Sequence, residues 1–264
     1  MTLYYQHRFE LPDRPGTTIF VQTEDEVEAG RRIIDSVALR WGAPSNFYHL
    51  LPGGHIRALR KHEADNVFVR LDIENFFGSI TRNKIHQALK KIGFSFAGAQ
   101  KLSHRSSVQH QGRRILPFGY VQSPILASLV LDKSALGKAM RQVAQRDLRL
   151  SVFMDDIILS HRDSSEVLLE ACATLQAASE DARLHFSEAK QQGPAEKIIA
   201  FNIKLSHELL EITADRFALF EQHVMQFGDC PSTDGVLGYV EAVNQTQLER
   251  LEQLLGFGKS APAV

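Results

Sequence analysis

The sequence predicts an α+β fold, and three observations lead there. Two short apolar runs, residues 67–71 and residues 151–159 with a polar interruption, are too short for helices and rich in Val and Ile, so they read as strands. Longer stretches with apolar residues at helical spacing lie before, between and after them, at residues 24–41, 123–146 and 164–182. With 264 residues, 44% of them apolar and 23% charged, the chain can bury a sizeable core in one or two domains.

Taken in order, residues 1–24 carry Pro12, Pro15 and Gly16, which break any regular element. A helix follows, with Val27, Ile33, Ile34, Val37 and Trp41 near one face, ended by Gly42-Ala43-Pro44. Residues 47–61 are predicted to form a hairpin that turns at Pro52-Gly53-Gly54 and carries Arg57, Arg60 and Lys61 on its return strand. The strand after it ends in Asp72, and Gly78-Ser79 leads into a short basic helix over residues 82–91 that Gly93 stops. Residues 94–115 show little periodicity. Their Lys101, His104, Arg105, Arg113 and Arg114 fit phosphate contacts or plain surface.

Pro117-Phe118-Gly119 is a turn, and Gly119 lets the backbone come close to whatever lies beneath. Ser123-Pro124 opens a helix to about Arg146, with Leu126, Leu129, Val130 and Leu136 inward. Asp155-Asp156 then forms the tip of a strand hairpin, followed by a helix over residues 164–182 and a strand candidate at Leu184-His185-Phe186. Residues 198–205 and 209–212 make a further hairpin. A helix from Thr213 to near Gly228 and a last helix carrying Leu248, Leu251, Leu254 and Leu255 close the chain.

Composition narrows the function. Cys172 and Cys230 have no paired spacing, which gives no disulfide framework or zinc site and fits a reducing, cytoplasmic setting. No run of eighteen apolar residues occurs, so a membrane span is not expected. The net charge is −1, but its distribution is uneven: residues 76–149 hold 13 Lys and Arg against 2 Asp and Glu. Such a block suits a phosphate backbone, and also a solvated helical face.

The acidic residues carry the chemistry. Taken alone, Asp155-Asp156 fits a solvated turn, since Asp is a common turn former. Asp72, however, ends a second strand, and two strand ends can bring Asp72 and Asp155 side by side. Carboxylates that close raise one another's pKa unless a cation intervenes, so a cluster implies a shared proton or a bound metal. Oxygen ligands favour Mg²⁺ or Mn²⁺ over zinc.

Three segments now stand in order: LDIENFFGSI at residues 71–80, LPFGYVQSPILASLVLD at residues 116–132 and FMDDIILS at residues 153–160. They resemble motifs A, B and C of reverse transcriptases, the bacterial group II intron and retron-like branch in particular. The resemblance covers roughly residues 52–255. It implies a right-hand palm of the split βαβ, ferredoxin-like type, over residues 66–213, with an insertion at about residues 94–122 belonging to the fingers. Residues 1–65 would be an N-terminal region and fingers, and residues 214–264 a short helical thumb. The implied activity is RNA-directed DNA synthesis from deoxynucleoside triphosphates (dNTPs) onto a primer end. An RNA template and a DNA product are then the partners.

By the same resemblance Asp72, Asp155 and Asp156 hold two Mg²⁺ ions, with the Ile73 carbonyl on the nucleotide-side ion and Mn²⁺ as the alternative metal. Phe77, five residues after Asp72, is placed as the aromatic gate against a ribose 2′ hydroxyl. Phe118 and Gly119 would border the nucleotide, Arg57 and then Arg60 would meet the triphosphate, and Lys190 would act as general acid at the leaving pyrophosphate. From the residues alone, Arg57, Arg60 and Lys190 also fit surface cations. Two positions depart from the family: Phe118 stands where Gln is usual and Ser128 where Asn is usual, which bears on fidelity and substrate choice.

The bare core suggests a specialised bacterial enzyme of anti-phage defence, working with a dedicated noncoding RNA, a partner subunit or a second copy of itself. Two other readings share the fold: a template-independent palm-type nucleotidyltransferase, and an inactive RNA-binding palm subunit. The three carboxylates Asp72, Asp155 and Asp156 argue against the last, because an inactive palm has no reason to keep them in mutual repulsion.

Overall fold

The computed structural model describes residues 4–12 and 16–258. Its first element is a hairpin of β1 (His7–Glu10) and β2 (Thr18–Val21), followed by α1 (Glu24–Ala38), a 3₁₀ turn at Tyr48–Leu50 and α2 (Gly54–Arg60). Then come β3 (Val67–Asp72), the single turn α3 (Phe76–Ser79), α4 (Arg82–Lys91), α5 (Phe96–Arg105) and the small hairpin of β4 (Val108–His110) and β5 (Arg113–Ile115). Next are α6 (Ser123–Lys133), α7 (Ala135–Val143), β6 (Arg149–Phe153), β7 (Asp156–His161) and α8 (Ser165–Ala182). The strands β8 (Gln192–Ala195), β9 (Lys197–Ala200), β10 (Ile203–Ser206) and β11 (Leu209–Ile212) precede three helices, α9 (Ala214–Phe227), α10 (Pro231–Val243) and α11 (Gln245–Gly258).

The central sheet has the order β6-β7-β3-β8, with every neighbouring pair antiparallel. β3 and β6 therefore run parallel with β7 between them, and helices connect β3 to β6 and β7 to β8. This is the split βαβ arrangement. Alternation along the strands divides the sheet's two faces. Val69, Leu71, Ile157 and Leu159 join the larger core with Ile85, Leu129, Met140 and Leu168 from the covering helices. Phe68 and Ile158 face the other way, into a second core built by Leu59, β9–β11 and the C-terminal helices through Phe217, Val240 and Leu251. Each such large side chain withdrawn from water contributes roughly 1.5–3 kcal/mol. Arg70, Asp72 and Asp156 lie on the same face as Phe68, past the edge of that second core.

Local chemistry sets the helix ends. Thr23, Thr81 and Ser164 each accept an N–H from the first turn of the helix they precede, as good N-caps do. The helix expected to run to Arg146 is broken at Ser134, whose backbone is extended and whose hydroxyl accepts the Gly137 N–H. A Cβ on Gly137 would come within 2.2 Å of the Leu131 carbonyl, so only glycine lets α7 fold back so tightly on α6.

The structure corrects several expectations. Residues 47–61 form no hairpin; Gly53 and Gly54, both at positive φ, instead start the helix α2, whose Ala58 and Leu59 are buried. The pull of Leu59 into the second core, a long-range contact, decides this. The N-terminal region is regular after all, because Pro12 and Gly16 sit in the connection between β1 and β2 and leave both strands intact; Pro15 lies outside the described residues. Residues 94–115 contain α5 and a hairpin. Residues 184–186 contribute only an isolated bridge between Phe186 and Ile73, and the fourth strand of the sheet is β8.

Candidate active site

β3 and β7 pair so that Asp72 lies directly opposite Asp156. Opposite residues of an antiparallel pair share a face, so these two carboxylates point to the same side. β6 and β7 are joined by a two-residue turn, Met154-Asp155, between the paired Phe153 and Asp156. The Ile73 N–H donates to the Asp155 carbonyl at 2.9 Å, which holds the end of β3 against the turn. On the other side of β3, the Ser187 N–H donates to the Asp72 carbonyl and the Glu74 N–H to His185. Both edges of the Asp72 segment are thus fixed by backbone.

Charge explains what surrounds them. Burial pushes the Asp155 carboxyl up to about 6, with Asp156 and Asp72 adding to the rise and Lys190 opposing it. Burial also raises Asp156, offset by the hydrogen bond and charge of Arg70. Arg70 Nε lies 2.6 Å from Asp156 Oδ1, and Lys190 Nζ lies 3.0 and 3.1 Å from the two oxygens of Asp72. Three carboxylates thus face two protein cations.

Among the described residues no three Asp, Glu, His or Cys side chains form a ready-made metal cage. The donors nevertheless suit a hard divalent ion: they are all oxygen, they crowd one another, and an ammonium already sits between the oxygens of Asp72 as a stand-in cation. The Lys190 side chain is 58% exposed, so it has room to leave Asp72.

The aromatic residues form the neighbouring wall. Phe77 is nearly buried, its ring centroid 4.4 Å from that of Phe118 and 5.7 Å from that of Phe76. Phe76 is a core residue at 2% exposure. The Phe118 carbonyl accepts from the Phe20 N–H, which docks the β1–β2 hairpin onto the turn before α6. Gly119 has φ +97, and a Cβ there would lie 2.5 Å from the Phe20 carbonyl. Close approach therefore demands glycine here, and what approaches is strand β2.

Arg57 and Arg60 do not join this group. Standing on α2, Arg57 donates to the Pro52 carbonyl, while Arg60 donates to the Ala242 carbonyl and pairs with Glu63. A groove of about 1020 Å³ opens beside Glu74, Asn75 and Gly78, and Arg82, Lys84, Arg113, Arg114 and Arg183 line it. Sequence reasoning missed Arg70, although its place two residues before Asp72 on one strand face was a readable signal. It also missed His49, whose ring accepts the Met154 N–H at the turn that carries Asp155 and for which no sequence signal pointed.

Comparison with known proteins agrees with this geometry. The solved foamy viral protease-reverse transcriptase in complex with double-stranded DNA shares the fold at 12% identity and a TM-score of 0.50, over 97% of this chain and 44% of that one. Telomerase from Candida albicans is similar at 11% identity and a TM-score of 0.47, over 89% and 43%. The chain spans less than half the length of these structures. Residues 27–201 match the family described as reverse transcriptase (RNA-dependent DNA polymerase), and that span is most of the sequence and contains the whole carboxylate site. The chain belongs to the reverse transcriptase family.

Proposed function

We propose that this chain is an RNA-directed DNA polymerase that extends a primer on an RNA template by a two-metal reaction. The observation that carries the reading is the meeting of Asp72, Asp155 and Asp156 at the paired ends of β3 and β7. Asp72, Asp155 and Asp156 would hold the ions, with Asp156 kept in place by Arg70 and the Ile73 carbonyl as a further oxygen donor. Two Mg²⁺ ions, or Mn²⁺ in their place, would supply activation of the primer 3′ oxygen and neutralisation of the departing charge.

The chain's own residues do the rest. Lys190 starts on Asp72 and, once displaced, stands beside the leaving pyrophosphate as its proton donor. Phe77, backed by Phe118, fills the space a ribose 2′ hydroxyl would need. The groove cations Arg82, Lys84, Arg113, Arg114 and Arg183 give phosphates of the incoming nucleotide or of the nucleic acid a counter-charge next to Asn75 and Gly78. In this reading residues 66–213 are the palm and residues 214–264 the thumb, while the β1–β2 hairpin supplies part of the fingers. The likeness of the three motifs to group II intron and retron-like reverse transcriptases supports a bacterial origin; the setting we propose is anti-phage defence in the cytoplasm with a dedicated noncoding RNA, a partner subunit or a second copy of the chain.

Template-directed incorporation of labelled dNTPs by the purified chain, with and without RNA template and with and without Mg²⁺, tests the activity. Asp155→Asn should abolish it while leaving the fold intact. Incorporation without template would instead favour a template-independent nucleotidyltransferase. Sequencing of co-purified RNA tests the dedicated partner.

A further inference from the structure

The turn that presents Asp155 is unusual in its first residue. Met154 has φ +59, in a two-residue hairpin turn where the first central position with positive φ is the place for glycine. A side-chain-bearing residue stays there only when its surroundings hold it. What holds it is His49, on the 3₁₀ turn before α2. The segment runs alongside β6, with the Val152 N–H donating to the Asn46 carbonyl and Phe47 bridging Val152.

The hydrogen bonds around His49 fix its tautomer. The Ser128 hydroxyl donates to the Pro124 carbonyl at 2.8 Å, so its oxygen, 2.6 Å from His49 Nε2, accepts from that nitrogen. His49 Nδ1 then keeps its lone pair and accepts the Met154 N–H at 3.0 Å. Burial keeps the ring neutral, holding its pKa down to about 4 even though the Val152 carbonyl favours the protonated form. The ring also packs edge-on against Phe153. Ser128, buried at 1%, is one of the two departures from the family pattern, and its partner is His49.

We propose that His49 is a positioning residue: through Ser128 it ties the helix α6 to the Met154-Asp155 turn and so fixes where the Asp155 carboxylate stands. This rests on the polymerase reading of the site. A bridging carboxylate displaced by a fraction of an ångström loses its alignment with primer and nucleotide. Ser128 steadies the ring that holds Met154, so removing Ser128 weakens the link that removing His49 breaks.

The test is steady-state primer extension together with amide hydrogen exchange on the full chain. His49→Leu keeps similar bulk without hydrogen bonds; it should lower kcat about ten- to hundredfold with little change in KM for primer-template. His49→Asn, whose side-chain oxygen can take the place of Nδ1, should recover most of that loss. Ser128→Ala should lower kcat by a smaller factor, and His49→Leu/Ser128→Ala should be no worse than His49→Leu alone. The Met154 amide should exchange at least about tenfold faster in His49→Leu than in the parent chain.

Unchanged exchange at Met154 would overturn the proposal, as would multiplicative losses in the double variant or a His49→Asn that fails like His49→Leu. If the parent chain incorporates no nucleotide, the polymerase reading falls, and the exchange measurement still decides whether His49 holds the turn.

Discussion

His62 is fully buried behind the sheet, and its protonation gives a quantitative prediction. Ser160 donates its only hydroxyl proton to Asp65, so the 2.6 Å contact between Ser160 Oγ and His62 Nδ1 is a donation by the ring. Nε2 therefore accepts from Ser151 Oγ at 2.8 Å. Adding a proton at Nε2 would leave Ser151 without its acceptor and place a cation in a dry site. Burial, helped by the positive charges of Lys61 and Arg149 and opposed by Asp65, lowers the His62 pKa to about 3.

The folded pKa lies below the unfolded value of about 6.5, so the unfolded chain binds the proton first. The associated stability is complete above pH 6.5 and is lost as pH falls toward 3. At pH 5 the loss is about 2 kcal/mol, growing by about 1.4 kcal/mol for each further pH unit. Urea unfolding of the parent and of His62→Gln, followed from pH 7.5 to pH 4.5, reads it out. Gln does not titrate, so the difference between the two proteins should shrink as pH falls. Parallel stability profiles over that range would refute the assignment.

Three further outcomes follow from the site. Phe77→Ala should raise ribonucleotide incorporation relative to deoxyribonucleotide incorporation in primer extension; unchanged selectivity would mean that the ring is only core. Gly119→Ala should cost about 2–4 kcal/mol in thermal or urea unfolding, because positive φ and a backbone clash with Phe20 add up; normal stability would show that the hairpin does not dock there. Arg70→Met should destabilise the chain by about 3–5 kcal/mol at pH 7.5, since it leaves Asp156 charged and largely buried. Because burial raises the Asp156 pKa, the loss should shrink as pH falls and the carboxyl takes up a proton; a loss that stays the same size would argue against an electrostatic cause.

The meeting of the three carboxylates was more legible in the residue order than the frame that carries them. Asp72, Asp155 and Asp156 were legible because each lies beside a short apolar run, and strand ends are where a sheet can bring distant residues together. The helices at residues 24–38, 82–91 and 165–182 were legible from the spacing of their apolar residues and, for the first two, from the glycines that follow them. The segment before β3 was misread because Pro52-Gly53-Gly54 favours a turn locally, while the burial of Leu59 in the second core is not written in neighbouring residues. Strand β1 offers no apolar pattern, since all four of its residues are exposed and the strand rests on its pairing with β2. Lys190 on Asp72, Arg70 on Asp156 and His49 on Met154 are contacts between residues 86 to 118 positions apart, which only the assembled sheet creates.

The two cores meet along a single thickness of sheet. Successive residues of β3 serve opposite masters: Val69 and Leu71 are gripped by the covering helices, and Phe68 by the second core, which β9–β11 and the C-terminal helices share. The acidic end of that strand is thus a cantilever anchored from both sides at its root. A lesion in α10 or α11, remote from any reacting atom, should loosen Phe68 and Ile158 and be felt at Asp72 and Asp156, so defects mapped to the tail need not signal lost contact with nucleic acid.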